Sequence, residues 1–186
     1  MEGAYKVLNK QVFPNGNYRL VPIRYEDRLE IMKWRNEQIY HLRQSEVLTV
    51  EKQENYFKTT VASLFNEERP NQILFSFLER NECIGYGGLV HINWIDRNAE
   101  VSFIMNTELE EASFSKNWSI FLNCLEQAAF GELGFHKIFI YAFDLRPHLY
   151  DVLELNGYFK DARLRDHCFF QGGFKDVLIY SKLMNQ

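Results

Sequence analysis

Cysteine is sparse in this chain of 186 residues. Cys83, Cys124 and Cys168 are odd in number and far apart, which excludes a disulfide framework and a CxxC metal or redox motif. Free thiols of this kind point to a reducing, cytoplasmic setting. The five histidines are scattered and form no HExxH or comparable ligand spacing, so no metal is expected. Long apolar runs are missing too. No stretch approaches the ~18 consecutive apolar residues of a membrane span, and the opening MEGAYKVLNK carries charge where a secretory signal has its apolar core. With no run of Lys or Arg, and 21 basic against 25 acidic residues for a net charge of −4, neither nucleic acid nor a membrane is expected as a partner. No Ser-His-Asp or Cys-His nucleophile arrangement is recognisable. No repeat, low-complexity tract or linker divides the chain, so a single domain over 1–186 is expected.

What the chain has is apolar and aromatic side chains: 46% hydrophobic and 16% aromatic, with 16 Phe and 10 Tyr. That is enough for one substantial core and is incompatible with disorder. Alternation over 18–23 after a Pro-Asn-Gly turn signal predicts a first strand. Residues 25–43, with Leu29, Met32, Ile39 and Leu42 among charges, predict one helix or two short ones, and 49–64 predict another, capped by Thr49. The apolar runs 73–79 and 83–92, joined by Arg-Asn-Glu, read as an antiparallel hairpin that 99–105 extends. A helix over 119–133 closes at Gly134, a strand follows over 137–143, then a short helix over 147–155 ending at Asn156-Gly157. Two more strands flank Gln171-Gly172-Gly173.

Several local sequences carry a resemblance. Ile84-Gly85-Tyr86-Gly87-Gly88-Leu89 followed by Trp94, Arg97, Ala99 and Glu100 is one; Ala129-Phe130-Gly131-Glu132-Leu133-Gly134-Phe135-His136-Lys137-Ile138 is another; Arg163 to His167 and Gly173 to Val177 close the pattern. These stretches, in this order of elements, resemble the GNAT N-acetyltransferases, in particular their RimJ/RimL and spermidine-acetyltransferase branch. The resemblance implies an α/β fold: a GNAT-type single domain whose central, mixed, mostly antiparallel sheet is flanked by helices. It implies acetyl-CoA as acyl donor, transfer to a primary amine of a small-molecule acceptor, and no metal. A homodimer is left open.

Two departures from the family pattern stand out. The stretch aligned with the glycine-rich pyrophosphate loop, Ala112-Ser113-Phe114-Ser115-Lys116-Asn117-Trp118-Ser119, has no glycine. In the last helix the family's tyrosine position holds Leu153, with Tyr150 one turn earlier, and its asparagine position holds Arg146. The resemblance therefore implies Glu100 as proton acceptor and Tyr150 as proton donor to the leaving thiolate. Phe103, Ile104, Met105, Ser113, Ser115, Lys116, Asn117 and Arg146 are the expected cofactor contacts. The expected acceptor contacts are Trp34, Arg35, His91, Tyr141 and His167. Trp34-Arg35-Asn36 resembles a segment of amino-sugar acetyltransferases of this fold, and the resemblance implies a nucleotide-linked amino sugar as acceptor, with Trp34 as a stacking face and the Arg35 guanidinium suited to phosphate. The alternatives are a non-catalytic GNAT-like binding protein with a degenerate cofactor loop, an enzyme using another acyl donor, and a protein N-terminal acetyltransferase. For Glu100, the plainer expectation is a salt bridge to Arg97.

Overall fold

The computed structural model describes residues 3–42 and 44–184. Arg43, the last residue of the first predicted helical region, lies outside them. Eight strands form one sheet in the order β1-β2-β3-β4-β5-β6-β8-β7. They are β1 (Phe13–Asn15), β2 (Tyr18–Pro22), β3 (Ile73–Glu79), β4 (Glu82–Asn93), β5 (Asn98–Met105), β6 (Lys137–Phe143), β7 (Phe159–Phe170) and β8 (Gly173–Leu183). Every pairing is antiparallel except β5 with β6. The predicted mixed, mostly antiparallel sheet flanked by helices is the fold observed. The Pro-Asn-Gly signal proves to be part of a hairpin, since Pro14 and Asn15 belong to β1 and pair with β2.

On one face lie α1 (Arg28–Glu37), a 3-10 turn (Ile39–His41), and α2 (Val50–Tyr56), which runs through a π-helical turn (Phe57–Val61) into α3 (Ala62–Leu64). The Thr49 hydroxyl accepts from the Lys52 backbone N–H at 3.3 Å and caps α2. Ile31, Trp34, Phe57 and Val61 pack there with Ile23, just past β2, against Leu74, Tyr86 and Ile104 of the sheet.

The opposite face is covered by α4 (Glu110–Glu126) and α5 (His148–Leu155). α4 begins nine residues before the predicted start at 119, preceded by a 3-10 turn (Thr107–Leu109), so residues 112–119 are helix and not loop. The physical reason is visible in the residues: Phe114, Trp118, Phe121, Leu122 and Leu125 recur at helical spacing and all are buried. Burying a side chain such as Phe121 completely is worth roughly 1.5–3 kcal/mol over leaving it in water, enough to draw the preceding turns into the helix. Phe121 stacks on Phe103 of β5 with centroids 3.9 Å apart, and Trp118 meets Phe103 edge-on at 5.0 Å. A π-helical turn (Gln127–Glu132) extends α4, and Gly134 at φ 64° turns the chain toward β6, a left-handed conformation that glycine adopts without strain.

Candidate active site

The sheet opens in its middle. β5 and β6 run parallel and pair only at Asn98↔Lys137, Ala99↔Ile138 and Glu100↔Phe139; beyond that point they have no common register. A cavity of about 610 Å³ occupies the gap. Because side chains alternate along a strand, its two sides differ in character. Val101, Phe103, Ile140 and Ala142 belong to the core beneath α4 and α5, and with Trp118, Leu149 and Arg146 they make one largely apolar side. Glu100, Ser102, Tyr141 and Phe143 face the other way, joined by Val90 and His91 of β4 and by His41 and Leu42.

Glu100 stands where pairing ends. Its Oε2 lies 2.7 Å from His91 Nδ1, so its side-chain partner is His91 and not Arg97. Tyr141 lines the same side, and its ring is 6.0 Å from that of His167, which is exposed on β7 outside the cavity wall. His41 was not predicted from sequence. It sits on the 3-10 turn after α1, where no periodic pattern marks it. Its Nε2 lies 3.2 Å from Gln38 Oε1, and Gln38 Nε2 donates to the Met105 carbonyl at 2.8 Å, tying that turn to the end of β5. Burial, with the charge of Arg146 adding to it, lowers the His41 pKa to about 3, so the ring is neutral at physiological pH.

Of the predicted cofactor contacts, Phe103 and Arg146 line the cavity. The others do not. Ile104 points to the α1 side and Met105 is fully core. Ser113, Ser115, Lys116 and Asn117 project around α4 instead of forming a loop: Ser115 is exposed, Asn117 is buried, and Lys116 lies over the ring of Tyr18 at 5.1 Å. The carboxylates of Glu108, Glu110 and Glu111 occupy the start of α4. Phe114 and Trp118 do not close the cleft: Trp118 forms part of its wall, and Phe114 fills the space toward α5, 4.4 Å from His148.

Three further expectations are corrected. Tyr150 is not among the residues lining the cavity; its hydroxyl donates to Asp144 Oδ1 at 3.0 Å and its ring stacks on Tyr180 at 5.4 Å, while burial pushes its pKa well above the usual tyrosine range. The face of α5 that reaches the cavity presents Leu149. Trp34 is only 1% exposed and has no face to offer a ligand. Arg35 donates to Gln44 Oε1 and to the Tyr86 hydroxyl beside a separate cavity of about 190 Å³. Among the described residues, no group of three or more His, Cys, Asp or Glu is arranged to hold a metal ion, and no helix is long and apolar enough to cross a membrane.

The sheet thus parts between two parallel central strands, with a carboxylate at the parting point. Residues 20–179 match the sequence profile of the acetyltransferase (GNAT) domain, and the chain belongs to that family. It is 27% identical over 111 residues to the spermidine N(1)-acetyltransferase of Vibrio cholerae, a match spanning 58% of this chain and 62% of that enzyme, under two thirds of its length. The crystal structure of spermidine N-acetyltransferase from Vibrio cholerae in complex with CoA and spermine superimposes with a TM-score of 0.79 at 20% identity, covering 91% of this chain and 97% of that one. A dodecameric structure of the same enzyme in an intermediate state gives 0.75 at 21% identity, covering 91% and 95%. At these identities the structures show the fold. These relatives are spermidine acetyltransferases; the GNAT family is shown and the narrower placement in the RimJ/RimL branch is not.

Proposed function

We propose that the chain is an acetyl-CoA-dependent N-acetyltransferase whose acceptor is a primary amine of a small polyamine-like molecule. The observation that carries this reading is the cleft that opens after Glu100↔Phe139 with Glu100 at its apex. The residues suit most of the donor. Val101, Phe103, Ile140, Ala142 and Leu149 offer an apolar wall to a pantetheine arm, and Arg146 offers a cation to a phosphate. The glycine amides that would cradle a pyrophosphate are replaced by the acidic start of α4. Bound acetyl-CoA supplies the thioester carbonyl as electrophile.

This chain's own part in the reaction is positioning and proton removal. Past residue 100 β5 shares no register with β6, so the β5 amides that face the gap are placed to hydrogen-bond a carbonyl oxygen. Glu100 takes a proton from the entering ammonium, directly or through water, and frees the amine to attack. With Tyr150 off the cleft, Tyr141 is the phenol that lines it.

The acceptor side supports a cationic substrate. Glu100 supplies the opposite charge to an ammonium group at the point where the two strands part. The named relatives act on polyamines. The sugar-nucleotide expectation loses both residues that carried it, since Trp34 is core and Arg35 lies outside this cavity.

The test is acetyl transfer from acetyl-CoA, followed by mass spectrometry, to spermidine, spermine, nucleotide-linked amino sugars and N-terminal peptides. Polyamines are expected to be acetylated, and Glu100→Gln to lower kcat by about 10²-fold. Product on peptides or sugars alone contradicts the acceptor assignment; acetyl-CoA binding without any product favours the non-catalytic reading.

A further inference from the structure

One contact at the cleft runs against strand geometry. Successive side chains of a strand point to opposite faces. Val90 stands opposite Glu100 in the β4–β5 register, so those two share a face, and His91 in regular pairing would project from the other. The register slips at this point. Between Val90↔Glu100 and Asn93↔Asn98, His91 and Ile92 together stand against Ala99 alone. His91 has φ 49°, in the left-handed region that residues with a side chain seldom occupy. A β-bulge with its first residue in this conformation re-aims that side chain. The imidazole is thereby brought to the carboxylate on Val90's face, with Nδ1 at 2.7 Å from Glu100 Oε2.

Stability does not account for such a device. The His91 side chain is 78% exposed, and ion pairs in that setting contribute little to folding. Glu100, at 23% exposure, is the partly enclosed member and the one that lines the cavity. The bulge therefore places an exposed donor against the one carboxylate that lines the cleft among the described residues.

We infer that His91 is a positioning residue for Glu100, a role that rests on the reading of the cleft as an acetyltransferase site. Nδ1–H donates to Oε2, fixes the rotation of the carboxylate, and leaves Oε1 as the oxygen that takes the proton from the amine. Nε2 remains in solvent. His91 itself does not touch the reacting atoms.

Two substitutions separate this role from a structural one. His91→Ala removes the donor; His91→Asn keeps an amide donor near the place of Nδ1 and suits a left-handed backbone. With acetyl-CoA and spermidine, His91→Ala is expected to lower kcat by about 10-fold or more while the spermidine KM stays within about twofold, and His91→Asn to recover most of the loss. Nitrogen NMR shifts of the imidazole in the free protein supply a readout independent of turnover. They are expected to show the Nδ1–H tautomer, giving way to Nε2–H in Glu100→Ala. Full turnover in His91→Ala, or an Nε2–H tautomer in the parent protein, overturns the role of His91 while leaving the acetyltransferase reading in place. A parent protein that acetylates no amine overturns both.

Discussion

Glu110 and Arg146 meet at 3.5 Å where α4 and α5 close over the donor side of the cleft, with side chains only 24% and 13% exposed. Burial lowers the Arg146 pKa and the Glu110 carboxylate works against that, so the guanidinium stays charged. The same carboxylate competes with any phosphate for Arg146 and adds negative charge at a helix start that otherwise favours anions. Glu110→Gln is therefore expected to tighten acetyl-CoA binding by about 3- to 10-fold, and Arg146→Ala to weaken it by about 10-fold. Calorimetry decides; equal affinities in all three proteins would remove Arg146 from the donor site.

Tyr150 is predicted to be dispensable for chemistry. Its hydroxyl is committed to Asp144 and its ring to Tyr180. Tyr150→Phe should leave kcat within about twofold while costing about 1 kcal/mol of stability through the lost hydrogen bond. A 100-fold fall in kcat would return the proton-donor role to Tyr150.

The neutral His41 makes stability depend on pH. Its folded pKa of about 3 lies below its ordinary value of 6.5, so between those values the unfolded chain binds a proton that the folded chain does not. Stability therefore falls as pH falls, by about 2 kcal/mol from this group between pH 7 and pH 5. Denaturant titrations of the parent and His41→Gln at both values isolate the contribution, since the other histidines are common to both. An identical pH dependence in the two proteins would contradict it.

Strand β4 approaches β5 too closely for a side chain at Gly87. A Cβ there would lie 2.1 Å from the Ser102 carbonyl oxygen, in the strand that forms the cleft. Gly87→Ala should destabilise the fold by about 1–3 kcal/mol and disturb β5 along with it. Thermal unfolding measures the first effect, and a weaker affinity for acetyl-CoA reports the second.

Most of the sheet was legible because its strands alternate or run apolar between clear turn signals. Residues 73–79 and 137–143 are strands with the predicted bounds. The start of α4 was not legible, because residues 112–119 stand where the family has its glycine loop, although their aromatic spacing is helical. Side-chain direction was the harder loss. Nothing in the sequence distinguishes a Tyr150 stacked on Tyr180 from one aimed at a thiolate, or a core Trp34 from a stacking platform, because in each case distant strands decide. The place of Glu100 at the cleft is read from its position after Arg97 and Ala99, while its role is proposed; the bulge that gives it His91 as partner depends on a two-strand register that no single segment encodes.

The central claim is that the gap between β5 and β6 receives the acyl donor. Hydrogen–deuterium exchange with and without acetyl-CoA tests it most directly, because β5 and β6 share no register beyond Glu100↔Phe139 and a ligand seated between them shields the backbone there. The account predicts slower exchange confined to residues 101–105 and 140–149. Unchanged exchange there at saturating acetyl-CoA, or protection only around the smaller cavity beside Arg35 and Tyr86, would contradict it.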